Sequence, residues 1–323
     1  MMDAVRAARG HEAVTVVGAG VVGLTCALRL AEAGYAVRVV ARERLGDTTS
    51  AVAAAVWYPY RAFPFDRVLG WSHAGYEAFV ALLDAEPDAG VRLRLGTELL
   101  RDDGPDPWWA GAVPDIAKVT DVPPGFAIGW RFASPIVDMS RYLPWLEGRL
   151  AARGIVPQPA VIDDLADLAG VVVNCTGLGA RELVPDPAVE PVRGQVVVVE
   201  QVGLEEWVVD DGDGGALTYV VPRIDDIVLG GTAQAGASDL AVDPGTAAGI
   251  LDRATALVPA LAGARIIGHK VGLRPARPTV RLEVERRRDR AVVHCYGHGG
   301  AGVTLSWGCA ADVVGLVRQA TDA

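Results

Sequence analysis

The sequence predicts an α/β protein in two interleaved parts: a parallel-sheet dinucleotide-binding domain and a second, largely antiparallel α+β domain. Three observations carry this expectation. A β-branched run, Val14-Thr15-Val16-Val17, leads straight into Gly18-Ala19-Gly20-Val21-Val22-Gly23 and then a helical pattern. A continuous apolar run from Leu168 to Val173 ends in Asn174-Cys175-Thr176-Gly177, as expected of a strand buried on both faces in a parallel sheet. Short strand-like segments separated by Gly and Asp turns fill residues 196–229, which is the pattern of an antiparallel sheet.

The first element has the Rossmann-like form. Gly18 permits the tight turn out of the strand, Gly20 lets the backbone approach a pyrophosphate, and Gly23 lets the helix pack closely on the sheet. Free amides and the positive end of the helix dipole then favour an anion without any basic side chain. Val21, Val22, Leu24, Cys26, Ala27, Leu28, Leu30 and Ala31 recur with helical periodicity to about Ala33, and Gly34 suits a left-handed C-cap. Ala36-Val37-Arg38-Val39-Val40 closes the strand–helix–strand unit. Glu43 stands about 20 residues beyond Gly23, where an acidic residue would hold ribose hydroxyls, with Arg42 immediately before it.

Next come the polar turn Gly46-Asp47-Thr48-Thr49-Ser50 and the small-residue run Ala51 to Val56, which either packs as an alanine helix or lets a flat ligand approach the backbone. Residues 66–83 have helical periodicity, and His73 there reads as a surface or capping residue. Residues 86–130 alternate Pro, Gly and Asp with short strands such as Val91 to Leu95. Ser140 to Arg153 reads as a helix, and Gly154-Ile155-Val156 as the start of a strand. Asp210 to Gly215 reads as a turn-rich loop without the bidentate Glu of a calcium site. Pro244 to Leu261 reads as a helix capped by Asp243. Val271 to Val284 and Ala291 to Tyr296 read as paired strands, Arg286-Arg287-Arg288 as their solvated tip, and Gly299-Gly300-Ala301-Gly302 as the opening of a C-terminal helix. The nucleotide-binding domain is thus expected in residues 1–55, 140–195 and 270–323, and the second domain in 56–139 and 196–269.

The chain has 323 residues, of which 51% are hydrophobic, so a sizeable core is available. A net charge of -10 without a basic cluster of note argues against nucleic acid. The segment through Glu12 lacks the apolar region of a signal peptide, and the longest apolar stretch, Ala13 to Leu28, is short and broken by glycines. A cytoplasmic protein without membrane spans is expected. Cys26, Cys175, Cys295 and Cys309 lack metal-ligand spacing and read as buried reduced thiols, so no metal site is expected.

Four stretches together resemble the FAD-dependent D-amino-acid oxidases: Val16 to Leu24, Ala53-Ala54-Ala55-Val56-Trp57-Tyr58-Pro59-Tyr60, Gly272-Leu273-Arg274-Pro275-Ala276-Arg277-Pro278, and Tyr296-Gly297-His298-Gly299-Gly300-Ala301-Gly302-Val303-Thr304. The likeness spans essentially the whole chain. It implies non-covalent FAD as cofactor, a D-amino acid and oxygen as small-molecule partners, and a homodimer as a possible assembly. FAD contacts are implied for Gly18, Ala19, Gly20, Val21, Val22, Gly23, Arg42, Glu43, Thr48, Thr49, Ala54, Ala55, Val56, Val161, Thr176, Gly177, Gly299, Gly300, Gly302, Val303 and Thr304.

The resemblance also assigns the substrate end. Arg274 matches the carboxylate-binding arginine, consistent with the directional bidentate grip of a guanidinium. Tyr219 matches a tyrosine whose hydroxyl holds the same carboxylate, Gly300 the glycine whose carbonyl accepts from the substrate amine, and Tyr58 lies among the substrate-contacting positions. Arg277 and His298 are expected to be structural. The implied reaction moves a hydride from the substrate α-carbon to the flavin, leaving an imino acid that hydrolyses to a 2-oxo acid and ammonia, while oxygen becomes hydrogen peroxide. It needs no catalytic base if the amine binds neutral.

Three departures bear on specificity. Tyr58 replaces a glutamine of better-known members, and Gly215 replaces an active-site tyrosine, which implies an open mouth and tolerance of bulky apolar side chains. Ala233 stands where the acidic-substrate branch has a basic residue, favouring neutral D-amino acids, with Arg223 a possible substitute cation. The alternatives are a D-aspartate or glycine oxidase, a nicotinamide-dependent dehydrogenase, and a non-catalytic flavin-binding protein.

Overall fold

The computed structural model describes residues 13–212, 217–288 and 290–322. The segment before Ala13, the Gly215 position and the start of the strand expected at Ala216 lie outside the described residues. In chain order the strands are β1 (Ala13–Val17), β2 (Ala36–Ala41), β3 (Val91–Leu100), β4 (Ala117–Val119), β5 (Ile128–Val137), β6 (Gln158–Pro159), β7 (Val171–Asn174), β8 (Glu190–Glu200), β9 (Trp207–Asp210), β10 (Thr218–Pro222), β11 (Asp226–Gly230), β12 (Gln234–Ala235), β13 (Ile266–Ala276), β14 (Arg281–Arg287) and β15 (Arg290–Tyr296). The helices are α1 (Val21–Glu32), α2 (Phe65–Ala85), α3 (Met139–Ala151), α4 (Ala180–Leu183), α5 (Pro244–Leu257) and α6 (Gly302–Thr321). Among the described residues, no helix is long and apolar enough to cross a membrane.

Two sheets organise the chain. The first has six strands in the order β14-β15-β7-β1-β2-β6 and is parallel except for the β14–β15 hairpin. β1 lies at its centre because Val14, Val16 and Val17 are buried on both sheet faces. The second has nine strands, running β12-β8-β11-β10-β9-β3-β5-β4 with β13 on the other side of β8, and is antiparallel except where β3 meets β9. The α/β and antiparallel two-sheet arrangement matches the expectation from sequence.

Local chemistry explains the helix ends and crossings. Asp138 caps α3 by accepting from Ser140 N at 3.0 Å, and Asp243 caps α5 by accepting from Thr246 N at 2.6 Å. α2 crosses α6 with backbones almost touching. A Cβ at Gly75 would stand 2.1 Å from the Thr304 carbonyl oxygen, and one at Gly308 would stand 2.4 Å from the Trp71 Cα.

Several boundaries differ from the sequence reading. Residues 271–284 are not one strand: β13 pairs with β8 in the second sheet, while β14 pairs with β15 in the first. Pro278 lies in the break between them, and its missing N–H suits it to a crossover rather than a ladder. Divisions at 195 and 270 therefore fall inside β8 and β13, both strands of the antiparallel sheet. Gly154 closes α3 at φ 74° instead of opening a strand, and pairing resumes only at Gln158. Residues 53–58 form an irregular run rather than an alanine helix, with Ala55 in the left-handed region at φ 58°: Trp57 N donates to Pro135 O at 2.8 Å and Val137 N to Ala55 O at 2.9 Å. That contact with β5 overrides helix propensity.

Candidate cofactor and substrate site

One cavity of about 720 Å³ runs between the two sheets. Every cofactor and substrate position named from sequence lines it, from Gly18 and Gly20 at one end to Tyr58, Tyr219, Arg274 and Gly300 at the other.

At the cofactor end the backbone forms the walls. Gly18 holds φ 113°, and a Cβ there would fall 2.4 Å from the Cys175 carbonyl oxygen. A Cβ at Gly23 would fall 2.0 Å from the Gly18 carbonyl oxygen, so α1 can pack this close only without a side chain. Val21 N donates to Ser50 Oγ at 2.9 Å, and Val22 and Gly23 at the same first turn line the cavity. Sequence reasoning did not single out Ser50; its position in a polar turn gave no sign that it would cap a helix from across the fold. This glycine cradle, open to an anion at a helix N-terminus, fits the pyrophosphate of FAD.

Arg42 and Glu43 sit exposed at the cavity rim and pair with each other at 2.6 Å. Val161 lies there too, 70% exposed. Thr49 Oγ1 donates to the Leu273 carbonyl at 2.9 Å, tying the cofactor loop to β13, and Thr48 Oγ1 donates to Leu45 O at 2.8 Å. Thr304 bridges the Tyr58 backbone: its hydroxyl accepts from Tyr58 N at 3.1 Å and donates to Tyr58 O at 3.0 Å. These two bonds fix residues 53–58 against the start of α6.

A buried relay behind Thr176 was also not legible. The Asn174 side chain accepts from Thr176 Oγ1 at 2.7 Å and lies 3.2 Å from His294 Nδ1, while His294 Nε2 lies 2.9 Å from Glu285. Asn174 donates to Nδ1 and Nε2 donates to the carboxylate, which is the pattern of a neutral imidazole. Burial, reinforced by the nearby Arg281 charge, lowers the His294 pKa to about 4, against the opposing pull of Glu285.

At the substrate end, side chains from three segments converge. Arg274 is half-buried, donates to the Thr232 carbonyl at 2.8 Å, and has no carboxylate within ion-pair distance among the described residues. The Tyr219 hydroxyl lies beside it; burial pushes its pKa up, partly offset by the guanidinium. Three glycines make room for this pair. A Cβ at Gly194 would stand 2.4 Å from Arg274 Nη1, and one at Gly230 or Gly231 would strike the Tyr219 ring or hydroxyl. Tyr60 closes over Gly300, whose hypothetical Cβ would meet its ring at 2.8 Å.

Other arginines are committed elsewhere. Arg223 is 3% exposed and grips Asp226 through two bonds of 2.6 Å, with Asp138 at 3.8 Å, so it is not a substitute cation for the substrate. Arg277 pairs with Asp186 at 3.0 Å, a structural role. The four cysteines are buried free thiols, and the sulfurs of Cys26, Cys175 and Cys295 lie within 4.8 Å of one another, a proximity their spacing in sequence does not reveal. His298 is buried with Nε2 3.9 Å from Cys295 Sγ.

Comparison with known proteins agrees with this geometry. The FAD dependent oxidoreductase family matches residues 13–316. A D-amino-acid oxidase of Rubrobacter xylanophilus is 49% identical over 94% of this chain and 95% of its own, and one of Streptomyces coelicolor is 46% identical over 94% and 96%. Human D-aspartate oxidase is 36% identical over 96% of both chains. Among solved structures, glycine oxidase from Geobacillus kaustophilus superposes with a TM-score of 0.80 at 20% identity over 95% of each chain, a likeness of fold. The chain belongs to the FAD-dependent D-amino-acid oxidase family.

Proposed function

We propose that this protein oxidises neutral D-amino acids to 2-oxo acids, ammonia and hydrogen peroxide. The observation that carries the reading is Arg274: a half-buried guanidinium without a carboxylate partner among the described residues, beside the Tyr219 hydroxyl, in the cavity that also holds the glycine cradle. An arginine in that state calls for an anionic ligand. The relatives named D-amino-acid oxidase support the substrate class.

FAD, when bound, accepts the hydride and passes electrons to oxygen. The chain positions and desolvates. Arg274 and Tyr219 hold the substrate carboxylate, and the Gly300 carbonyl accepts from its amine, which together orient the α-carbon. The start of α6, with Gly302, Val303 and Thr304 at the cavity wall, favours negative charge through the helix dipole. Gly18 to Gly23 hold the pyrophosphate, and Thr48, Thr49, Ala54, Ala55, Val56, Thr176, Gly177 and Gly299 form the remaining cofactor surface. Tyr58 contributes to the wall of the side-chain pocket. With Arg223 engaged by Asp226, the pocket has no free cation for a second carboxylate among the described residues, which favours neutral over acidic substrates.

Oxygen consumption with D-methionine, L-methionine and D-aspartate tests the proposal. Turnover of D-methionine with stoichiometric peroxide is expected. Preferential turnover of D-aspartate would transfer the chain to the acidic-substrate branch, and preference for the L-enantiomer would overturn the reading.

A further inference from the structure

Next to Gly299 and Gly300 the molecule holds a cluster of soft ligands that the oxidation does not use. Cys295 stands near the end of β15, His298 follows the turn at Gly297, and Cys309 lies on α6. Their ligand atoms, two sulfurs and an imidazole nitrogen, all lie within 4.8 Å of one another, and the residues are 1%, 4% and 0% exposed. The thiols by themselves lack metal-ligand spacing, but Cys295-Tyr296-Gly297-His298 has the two-residue gap of a chelating pair. Gly297, at φ 82°, turns the chain there, and His298 Nε2 comes to 3.9 Å from Cys295 Sγ. Among the described residues, this weak sulfur contact is the only hydrogen bond of the buried ring. Cys295 and His298 both line the cavity, which gives an ion a way in.

We propose that Cys295, His298 and Cys309 form a binding site for a thiophilic dication, zinc by its donor set. The site is independent of the substrate reading above. Two thiolates and a neutral imidazole round a dication sum to zero charge, an arrangement that a buried wall can hold without a counter-ion. Cys26, Cys175 and Cys295 also lie within 4.8 Å of one another, but three thiolates would leave a buried negative charge round the same ion. Mixed sulfur and nitrogen donors suit tetrahedral zinc. Zinc bonds of about 2.3 Å to sulfur and about 2.0–2.1 Å to nitrogen place those two atoms about 3.6 Å apart, so Cys295 and His298 need close by only a few tenths of an ångström. The fourth position falls to water on the cavity side. Without an ion the thiols stay protonated: the Cys175 thiol, together with burial, holds the Cys295 pKa well above its usual value, and burial raises that of Cys309. A bound dication reverses this, so each zinc taken up displaces two thiol protons to solvent. The ion would tie the end of β15 to α6 across the turn that carries Gly299 and Gly300.

The test titrates the FAD-loaded protein with Zn2+ against a colorimetric zinc chelator and records the zinc X-ray absorption spectrum of the product. One tightly held equivalent is expected, with a sulfur shell at about 2.3 Å and a nitrogen shell at about 2.0–2.1 Å. Cys309→Ala is expected to weaken binding roughly 100-fold or more, beyond what the loss of an outer partner of a metal costs. Cys26→Ala, outside the three ligands, is expected to keep the equivalent. Absence of a tight equivalent would overturn the proposal, as would a shell of oxygen and nitrogen alone, the mark of an adventitious ion only; both results come from the unaltered protein and need no variant to fold. Loss of zinc in Cys26→Ala with retention in Cys309→Ala would also overturn it, by moving the ion to the other sulfur group.

Discussion

The two ends of the cavity are built by opposite means. The cofactor end is made of backbone: Gly18, Gly20 and Gly23 lie within a few residues of one another, and their function is to lack side chains. The substrate end is made of side chains delivered by distant segments: Tyr58 from the run 53–58, Tyr219 from β10 and Arg274 from β13. A backbone cradle tolerates no added atom, whereas a side-chain clamp can lose one member and retain the fold. The two ends should therefore respond differently to substitution.

The largest effect is expected at the cradle. Gly23→Ala places a Cβ 2.0 Å from a backbone oxygen that cannot swing away, so α1 must move off the sheet. The purified variant should lack the flavin absorbance of the parent, and full FAD content would break the comparison. Arg274→Lys should instead retain FAD but lose about 10²-fold in kcat/KM for D-methionine, because an ammonium cannot reproduce the bidentate grip. Tyr219→Phe removes one bond to the carboxylate and should cost roughly tenfold, mainly in KM. Equal losses in the two clamp variants would show that the hydroxyl contributes as much as the guanidinium.

The smallest and most discriminating effect is in pH. His294, behind the cofactor end, has its pKa lowered to about 4, so the unfolded state binds the additional proton below its ordinary value near 6.5. Its contribution thus destabilises the fold as pH falls from about 6.5 towards 4. Glu98, which accepts from Tyr58 behind the substrate end, has its pKa raised by burial to about 7, so the folded state retains a proton that the unfolded state has lost. Its contribution is present at low pH and is lost as pH rises through about 7. Thermal unfolding across pH 4–8 should show Glu98→Gln flattening the upper slope and a neutral replacement of His294 flattening the lower one. Coincident changes would mean that the two ends are coupled.

The same contrast explains what was legible in the sequence. The cradle could be read directly because its glycines are local and each spacing has a steric meaning. The parallel strand at 171–174 was legible from its apolar continuity, and the antiparallel half from its turn spacing. Arg274 and Tyr219 were located by resemblance, not by pattern, since neither has a chemical partner nearby in sequence. Ser50, Glu98, His294 and the glycines at 194, 230 and 231 gave no local signal: their roles exist only once β8, β10, β13 and β15 are in register. The strand break at 277–280 was missed because the apolar pattern on either side suits either sheet, and only tertiary pairing separates them.

The central claim is that Arg274 and Tyr219 present a D-amino acid to the cofactor held by the glycine cradle. Its most direct test is the visible spectrum of the FAD-loaded protein during anaerobic addition of D-methionine. The account predicts loss of the oxidised flavin band with D-methionine, no change with L-methionine, and a much weaker response in Arg274→Lys. A flavin band that D-methionine leaves intact, or one bleached equally by both enantiomers, would contradict it.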